Sequence, residues 1–241
     1  MKTRLTIAMF ASMIAGITCL QATPSTIIWI PSVDFQGYKS FHLGIDNYAY
    51  DFKSGKPYSG GAFPTDLGLT VGFLPSSTVQ AEIGVDYMTP QWSPFMFNAK
   101  VGLPEGALAE WSPAVAVGGF GFGLQKNVTD VNILYGIAGK TLPVIGRIEV
   151  GYYSGNKDLL LNLETGNTDN SGILLSWDRM IPEISENLWL AVDYQGGKNS
   201  FGALSYGLAW SFSKNVSVIF ARDVFNADIP STFTMQLDIN I

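Results

Sequence analysis

The sequence is poor in charge, in cysteine and histidine, and in long unbroken apolar runs. Lys, Arg, Asp and Glu make up 14% of the 241 residues, against about 25% in soluble domains. Aromatic residues nevertheless reach 13%, so much of the surface has no need of charge. A single cysteine, Cys19, excludes an internal disulfide and a thiolate cage, and a single histidine, His42, excludes a multi-histidine zinc site. No metal or other cofactor is expected. The formal net charge of −6 gives no basic surface for nucleic acid. After the first 35 residues no stretch supplies the roughly 20 mostly apolar residues of a spanning helix. The longest charge-free runs there, such as 67–81 and 111–125, have 15 residues and are broken by glycine or proline.

The N-terminus is of another kind. "MKTRLTIAMFASMIAGITCLQA" places Lys2 and Arg4 before an apolar core and Ala22 before a cut, the pattern of a secretory signal peptide. Residues 1–22 are read as that peptide. Its removal takes two cations and no acid, so the charge goes from −6 to −8. Cys19 leaves with it. A retained anchor is the first alternative. A lipoprotein is the second, although Thr18 stands where such signals want Gly, Ala or Ser. Residues 23–38 form an N-terminal periplasmic or plug segment. Its apolar, proline-bounded "PSTIIWIPS" reads as an extra short strand, an inward plug or a periplasmic contact, and no residue favours one of them.

What the chain has in abundance is alternation. Twelve two-faced runs follow: 39–51, 62–74, 78–88, 93–103, 111–122, 129–140, 145–155, 171–181, 187–196, 201–213, 215–225 and 231–241. Period two marks a strand with one apolar face. Most of these runs are far longer than the about 5–6 residues of an ordinary strand, and match the about 9–11 of a tilted membrane-spanning strand. Leu67, Leu69, Val71 and Phe73 form one apolar face, and Leu204, Tyr206, Leu208, Trp210 and Phe212 another. Links after even-numbered runs are mostly short ("PSS", "TLPV", "SKN"). Several after odd-numbered runs are longer and more polar, notably 53–62 and 155–170. An up-and-down barrel puts these two classes at opposite ends; a Greek-key sandwich gives no reason for the parity. Tyr48, Tyr50, Tyr87, Trp92, Tyr152, Tyr153 and Tyr194 gather near the odd-run exits, as interfacial belts do.

Signal peptide, even strand count, loop parity and an alternating last run together resemble a Gram-negative outer-membrane β-barrel of the porin-like class. The expected fold is all-β: a transmembrane antiparallel up-and-down barrel of about 12 strands over 39–241, with 10 or 14 as other ways of counting. The resemblance implies an outer-membrane location, with lipid bilayer and lipopolysaccharide as surroundings and the barrel-assembly machinery as partner. Its assembly signal maps onto Phe233, Met235, Leu237, Ile239 and Ile241. Ile241 departs from the Phe or Trp usual at that last position.

With the apolar face on lipid, the polar face lines the bore. Projection inward gives His42, Asp46, Asp66, Glu82, Asp86, Asn98, Lys100, Asp130, Lys140, Arg147, Glu149, Asp178, Asp193, Gln236 and Asp238. Acids outnumber bases among these, which favours cations, unless the charges pair across the bore and plug it. The first functional reading is a narrow passive channel for small solutes or cations. The second is a non-conducting structural or partner-binding barrel, holding a periplasmic or extracellular protein. A surface enzyme comes third, and non-enzymatic action is preferred: catalysis would rest on His42, with Asp238 near it across the closing seam and no serine in a nucleophile motif. "GGFGFG" at 118–123 lacks the spacing and the helix of a nucleotide loop. It is read with Gly119, Gly121 and Gly123 inward and Phe120 and Phe122 outward. Leu159, Leu160, Leu161 and Leu163 in the longest loop suit a partner surface, self-packing or an extended hairpin.

Overall fold

The computed structural model describes residues 25–51 and 62–241. The stretch read as a signal peptide, with Cys19, and residues 53–61 of the first long link lie outside the described residues. Twelve strands follow in chain order: β1 (Phe41–Tyr50), β2 (Thr65–Gly72), β3 (Gln80–Thr89), β4 (Phe95–Leu103), β5 (Ala114–Gly123), β6 (Asp130–Leu142), β7 (Gly146–Ser154), β8 (Ser171–Met180), β9 (Leu188–Gln195), β10 (Ala203–Ser213), β11 (Val216–Phe225) and β12 (Thr232–Asn240). Each overlaps one of the alternating runs. Every strand pairs antiparallel with its sequence neighbours, and β12 returns to β1 with Ile45 opposite Leu237, closing the barrel. The fold is a transmembrane up-and-down barrel.

Closure leaves no edge strand, so every backbone donor in the wall has a neighbour. The outer face carries the odd-numbered apolar residues of the first and last strands: Leu43, Ile45, Phe233 and Met235 are all exposed, and so are Leu204 and Leu208 further round. A continuous exposed apolar band of this extent belongs against hydrocarbon. The last strand's strict alternation is thereby explained, since Phe233, Met235 and Ile241 stand on the outer face.

Inside, the wall has two sectors. Around β1 to β4 it is polar. From β5 to β11 it is largely apolar: Ala114, Ala116, Ile133, Ile137, Leu174, Trp189, Ala191, Ala209 and Ile219 are buried, packed in one cluster with Ile27, Ile28, Ile30, Val33 and Phe35 of the N-terminal segment. That segment is no thirteenth strand. It lies inside the barrel and gives the cylinder a core.

Two expectations about facing fail on β5 and β6. Phe120 points inward, its ring 6.2 Å from Tyr135 and 6.1 Å from Phe201. Gly119 takes the outer face, where an added Cβ would meet the exposed Leu134. The alternation that buries Ala114 and Ala116 and exposes Val115 and Val117 runs on to Phe120, which sets Gly119 outward and Phe120 inward; a bulge follows between Phe120 and Phe122, at Gly121 with φ of +67°. A residue inserted in the left-handed region shifts the alternation by one. Phe122 then pairs with Phe97, which is exposed, and with Asp130, so Asp130 shares the outward side. Lys140 pairs with the exposed Ile148 and is also outward. These two residues do not project into the bore; on β6 Ile133, Tyr135 and Ile137 do.

Candidate functional site

The sequence from Ser25 to Gln36 enters the bore as a hairpin. Thr26 bridges Pro31, Ile27 N–H donates to Ile30 O (2.9 Å), and the turn lies at Ile28–Trp29. The run Ile27, Ile28, Ile30 is too apolar for water and too short for a barrel strand, so it stays buried against the apolar sector. Its tip is fixed by polar groups from the wall. Asp193 Oδ2 accepts the backbone N–H groups of Ile28 (2.8 Å), Trp29 (2.8 Å) and Ile30 (3.4 Å). Gln236 Nε2 donates to Ile28 O (2.9 Å), and Trp29 Nε1 donates to Phe201 O (2.8 Å). Consecutive N–H groups converging on one carboxylate oxygen make an anion-holding nest.

The base of the hairpin is held by ions. Arg147 binds Asp34 (2.5 Å), Asp178 (2.8 Å) and Glu149 (3.1 Å). Lys100 Nζ meets Glu82 Oε1 at 3.1 Å and donates to Ser32 O at 3.3 Å. The other oxygen of Glu82 accepts Gln36 N–H at 2.7 Å. Beyond Gln36 the chain crosses the end of β2, where Lys39 N–H donates to Gly72 O (2.8 Å). A Cβ at Gly72 would lie 2.1 Å from Gly37 O, so only glycine admits this crossing. Nearly half of the residues projected as pore-lining are thus receptors for the hairpin: Glu82, Lys100, Arg147, Glu149, Asp193 and Gln236 all touch it, and Asp178 does so through Arg147.

His42, Asp46, Asp66, Asp86, Asn98 and Asp238 surround what the hairpin leaves open, a cavity of about 410 Å³ along the β1–β5 side. It runs from His42, Glu82 and Lys100 near the end that carries the short turns to Gln91, Val128 and Ser200 in the loops at the other. Asp86 Oδ2 accepts from Asn98 at 2.9 Å. Asp66 Oδ1 is buried without a hydrogen-bond partner. No salt bridge among the described residues reaches Asp46, Asp66 or Asp86. Asp130 and Lys140 belong elsewhere: Asp130 accepts from Asn127 N–H in the β5–β6 link, and Lys140 pairs with Glu105 at 2.8 Å.

Sequence reasoning left out several residues of this interior. Asp223, buried and bound by Thr232 Oγ1 (2.8 Å), was available from the phase of β11, whose Val216, Val218 and Phe220 take the outer face. Tyr48, Trp29 and Phe63 form a mutual edge-to-face group with centroids 5.6–5.7 Å apart. No local signal marks it, because its members come from three separate segments. In the longest loop Leu160 is wholly buried in the core and Leu161 bridges Thr168; of the readings offered there, self-packing around a short hairpin is what the loop does.

His42 has the neighbour anticipated for it. Nε2 lies 3.4 Å from Asp238 Oδ1 and Nδ1 3.0 Å from Asn240 Oδ1. Ser217 Oγ donates to Asp238 Oδ2 at 3.4 Å, so the carboxylate stands between hydroxyl and imidazole. A nucleophilic relay needs the imidazole in the middle.

No protein-family model matches the chain, and no curated protein matches it in sequence. Solved structures do resemble it. KdgM porin superposes with a TM-score of 0.53 at 7% identity, over 82% of this chain and 98% of that one. A protein from a study of in-meso crystallization of membrane proteins gives 0.51 at 12% identity, over 84% and 83%. KdgM porin in complex with disordered oligogalacturonate gives 0.47 at 6% identity, over 83% and 98%. At such identities the likeness speaks for the fold: with the closed cylinder and its apolar belt, the chain has the architecture of a porin-like transmembrane β-barrel.

Proposed function

We propose that this chain is a narrow outer-membrane channel for small cations, its bore restricted by its own N-terminal hairpin. The observation that carries this is the cavity beside the hairpin, reaching from one end of the barrel towards the other with Asp46, Asp66 and Asp86 on its wall. Carboxylates inside low-dielectric walls raise the local concentration of cations and exclude anions. The cations of the interior are already paired, Arg147 with Asp34, Glu149 and Asp178, and Lys100, at one end of the cavity, with Glu82. The porin neighbour supports a conducting rather than a catalytic role. By the convention of the class, the end with termini and short turns faces the periplasm.

Planar-bilayer recording tests the proposal. In a KCl gradient the reversal potential should report cation preference, and Asp46→Asn, Asp66→Asn and Asp86→Asn combined should abolish it. Deleting residues 25–36 should raise the conductance severalfold. Silence from both the whole chain and the deletion variant would reject a channel. The second reading, a non-conducting barrel, is favoured by the hairpin's attachments at both tip and base; a silent whole chain with a conducting deletion variant is its signature.

A further inference from the structure

Across the β1–β2 pair Asp46 stands opposite Asp66, and Asp86 on β3 stands opposite Gly68, two residues along from Asp66. Three carboxylates therefore share the inner face of adjacent strands. Asp66 Oδ1 is buried without a partner, and among the described residues the Asp46 carboxylate is in no ion pair. Deep carboxylates left in this state are costly unless something cationic joins them. The floor beside them is open: Gly44 pairs with Gly68, and a Cβ at Gly44 would meet His42 Nε2 alone, at 3.6 Å. Above them stand the rings of Tyr48, Phe63 and Trp29, each within 5.7 Å of the others and all lining the same cavity.

We propose that this cavity binds an organic ammonium ion, its charged head among Asp46, Asp66 and Asp86 and its apolar body against Tyr48, Phe63 and Trp29. This deepens the channel reading, on which it rests for the route by which a solute arrives. The volume of about 410 Å³ falls within the about 300–1,000 Å³ of small-molecule sites. Aromatic faces add cation–π attraction for an alkylated cation and desolvate its body, a gain that a hydrated inorganic ion does not share. Among the described residues no group of three carboxylate, histidine or cysteine ligands is placed to hold a metal ion.

The test is calorimetric titration of the full chain in detergent micelles with three probes: 2-phenylethylammonium, its neutral isostere 2-phenylethanol, and calcium. The ammonium should bind one to one and at least tenfold more tightly than the alcohol. Asp46→Asn with Asp66→Asn should weaken it at least tenfold. Gly44→Leu, which fills the floor and leaves all charges in place, should weaken it similarly. Equal affinity for ammonium and alcohol, no ammonium binding, or tighter binding of calcium would each overturn the site, and the wild-type comparison needs no variant to fold. Bilayer current is read separately. A chain that conducts cations without binding the ammonium refutes the site and keeps the channel; one that binds it without conducting keeps the site and refutes the channel.

Discussion

Asp193 Oδ2 accepts the backbone N–H of Trp29 at 2.8 Å, across 164 positions of the chain. The same oxygen takes Ile28 and Ile30, so one carboxylate on β9 fixes the hairpin tip. Asp193→Ala should weaken docking by on the order of 3 kcal/mol, since charge-assisted hydrogen bonds are lost and buried donors are left over. Conductance should rise towards that of the 25–36 deletion. Asp193→Asn keeps a carbonyl oxygen and should lose less. Recordings indistinguishable from wild type for Asp193→Ala would show that the tip is held by packing alone.

Arg147 is the counter-charge at the hairpin base, shared by Asp34, Glu149 and Asp178. Arg147→Met would strand carboxylates inside the barrel, Glu149 being fully buried. Breaking such a group from one side costs about 3–5 kcal/mol. Urea unfolding in detergent reads it as a lowered midpoint. Arg147→Lys should fall in between, because an ammonium lacks the planar fork that serves several acceptors at once.

Leu208 lies midway along β10, exposed on the outer face and paired with Phe220. In hydrocarbon, Leu208→Arg should cost about 2–4 kcal/mol. Equilibrium unfolding from lipid vesicles measures this. A change within about 0.5 kcal/mol, as at a water-exposed site, would mean that this face does not meet lipid.

Glu105, in the β4–β5 turn, accepts from Lys140 Nζ (2.8 Å) and Thr141 N–H (3.0 Å). Partial burial pushes its carboxyl up, but the hydrogen bonds from Lys140 and Thr141 and the charge of Lys140 outweigh that, holding it below the ordinary range. A depressed carboxylate stabilises fully above its unfolded-chain pKa, and the contribution disappears as pH falls through the lower, folded value. The link between neighbouring turns should therefore loosen on acidification below the usual glutamate range. Lys140→Ala should move the Glu105 titration, followed by NMR, upward.

Alternation made the strands legible from residues alone, because a half-buried strand needs one apolar side at every second position, and twelve such runs leave little freedom in pairing. The same logic placed His42, Asp46, Asp66 and Asp86 inside. It failed for Phe120, Asp130 and Lys140: on β5 the exposed Val115 and Val117 already set Gly119 outward and Phe120 inward, and on β6 the inner face is the apolar one, Ile133, Tyr135 and Ile137, so the polar members of the alternation face outward. It was also silent on the apolar inner sector. Ala114, Ala116 and Ile133 are buried with Ile27 and Ile30, so on those strands both faces are apolar and the contrast that reveals orientation fades.

Residue order by itself determined the strands, the belt and the sign of charge inside, since each follows from the chemistry of neighbours one or two positions apart. Where the segment at 25–36 lies, and so whether Glu82, Glu149 and Asp193 face open water or backbone donors, was decided only by the folded barrel. Those partners are brought together across 46, 116 and 164 positions, and contacts at such range depend on closure and register rather than on any local pattern.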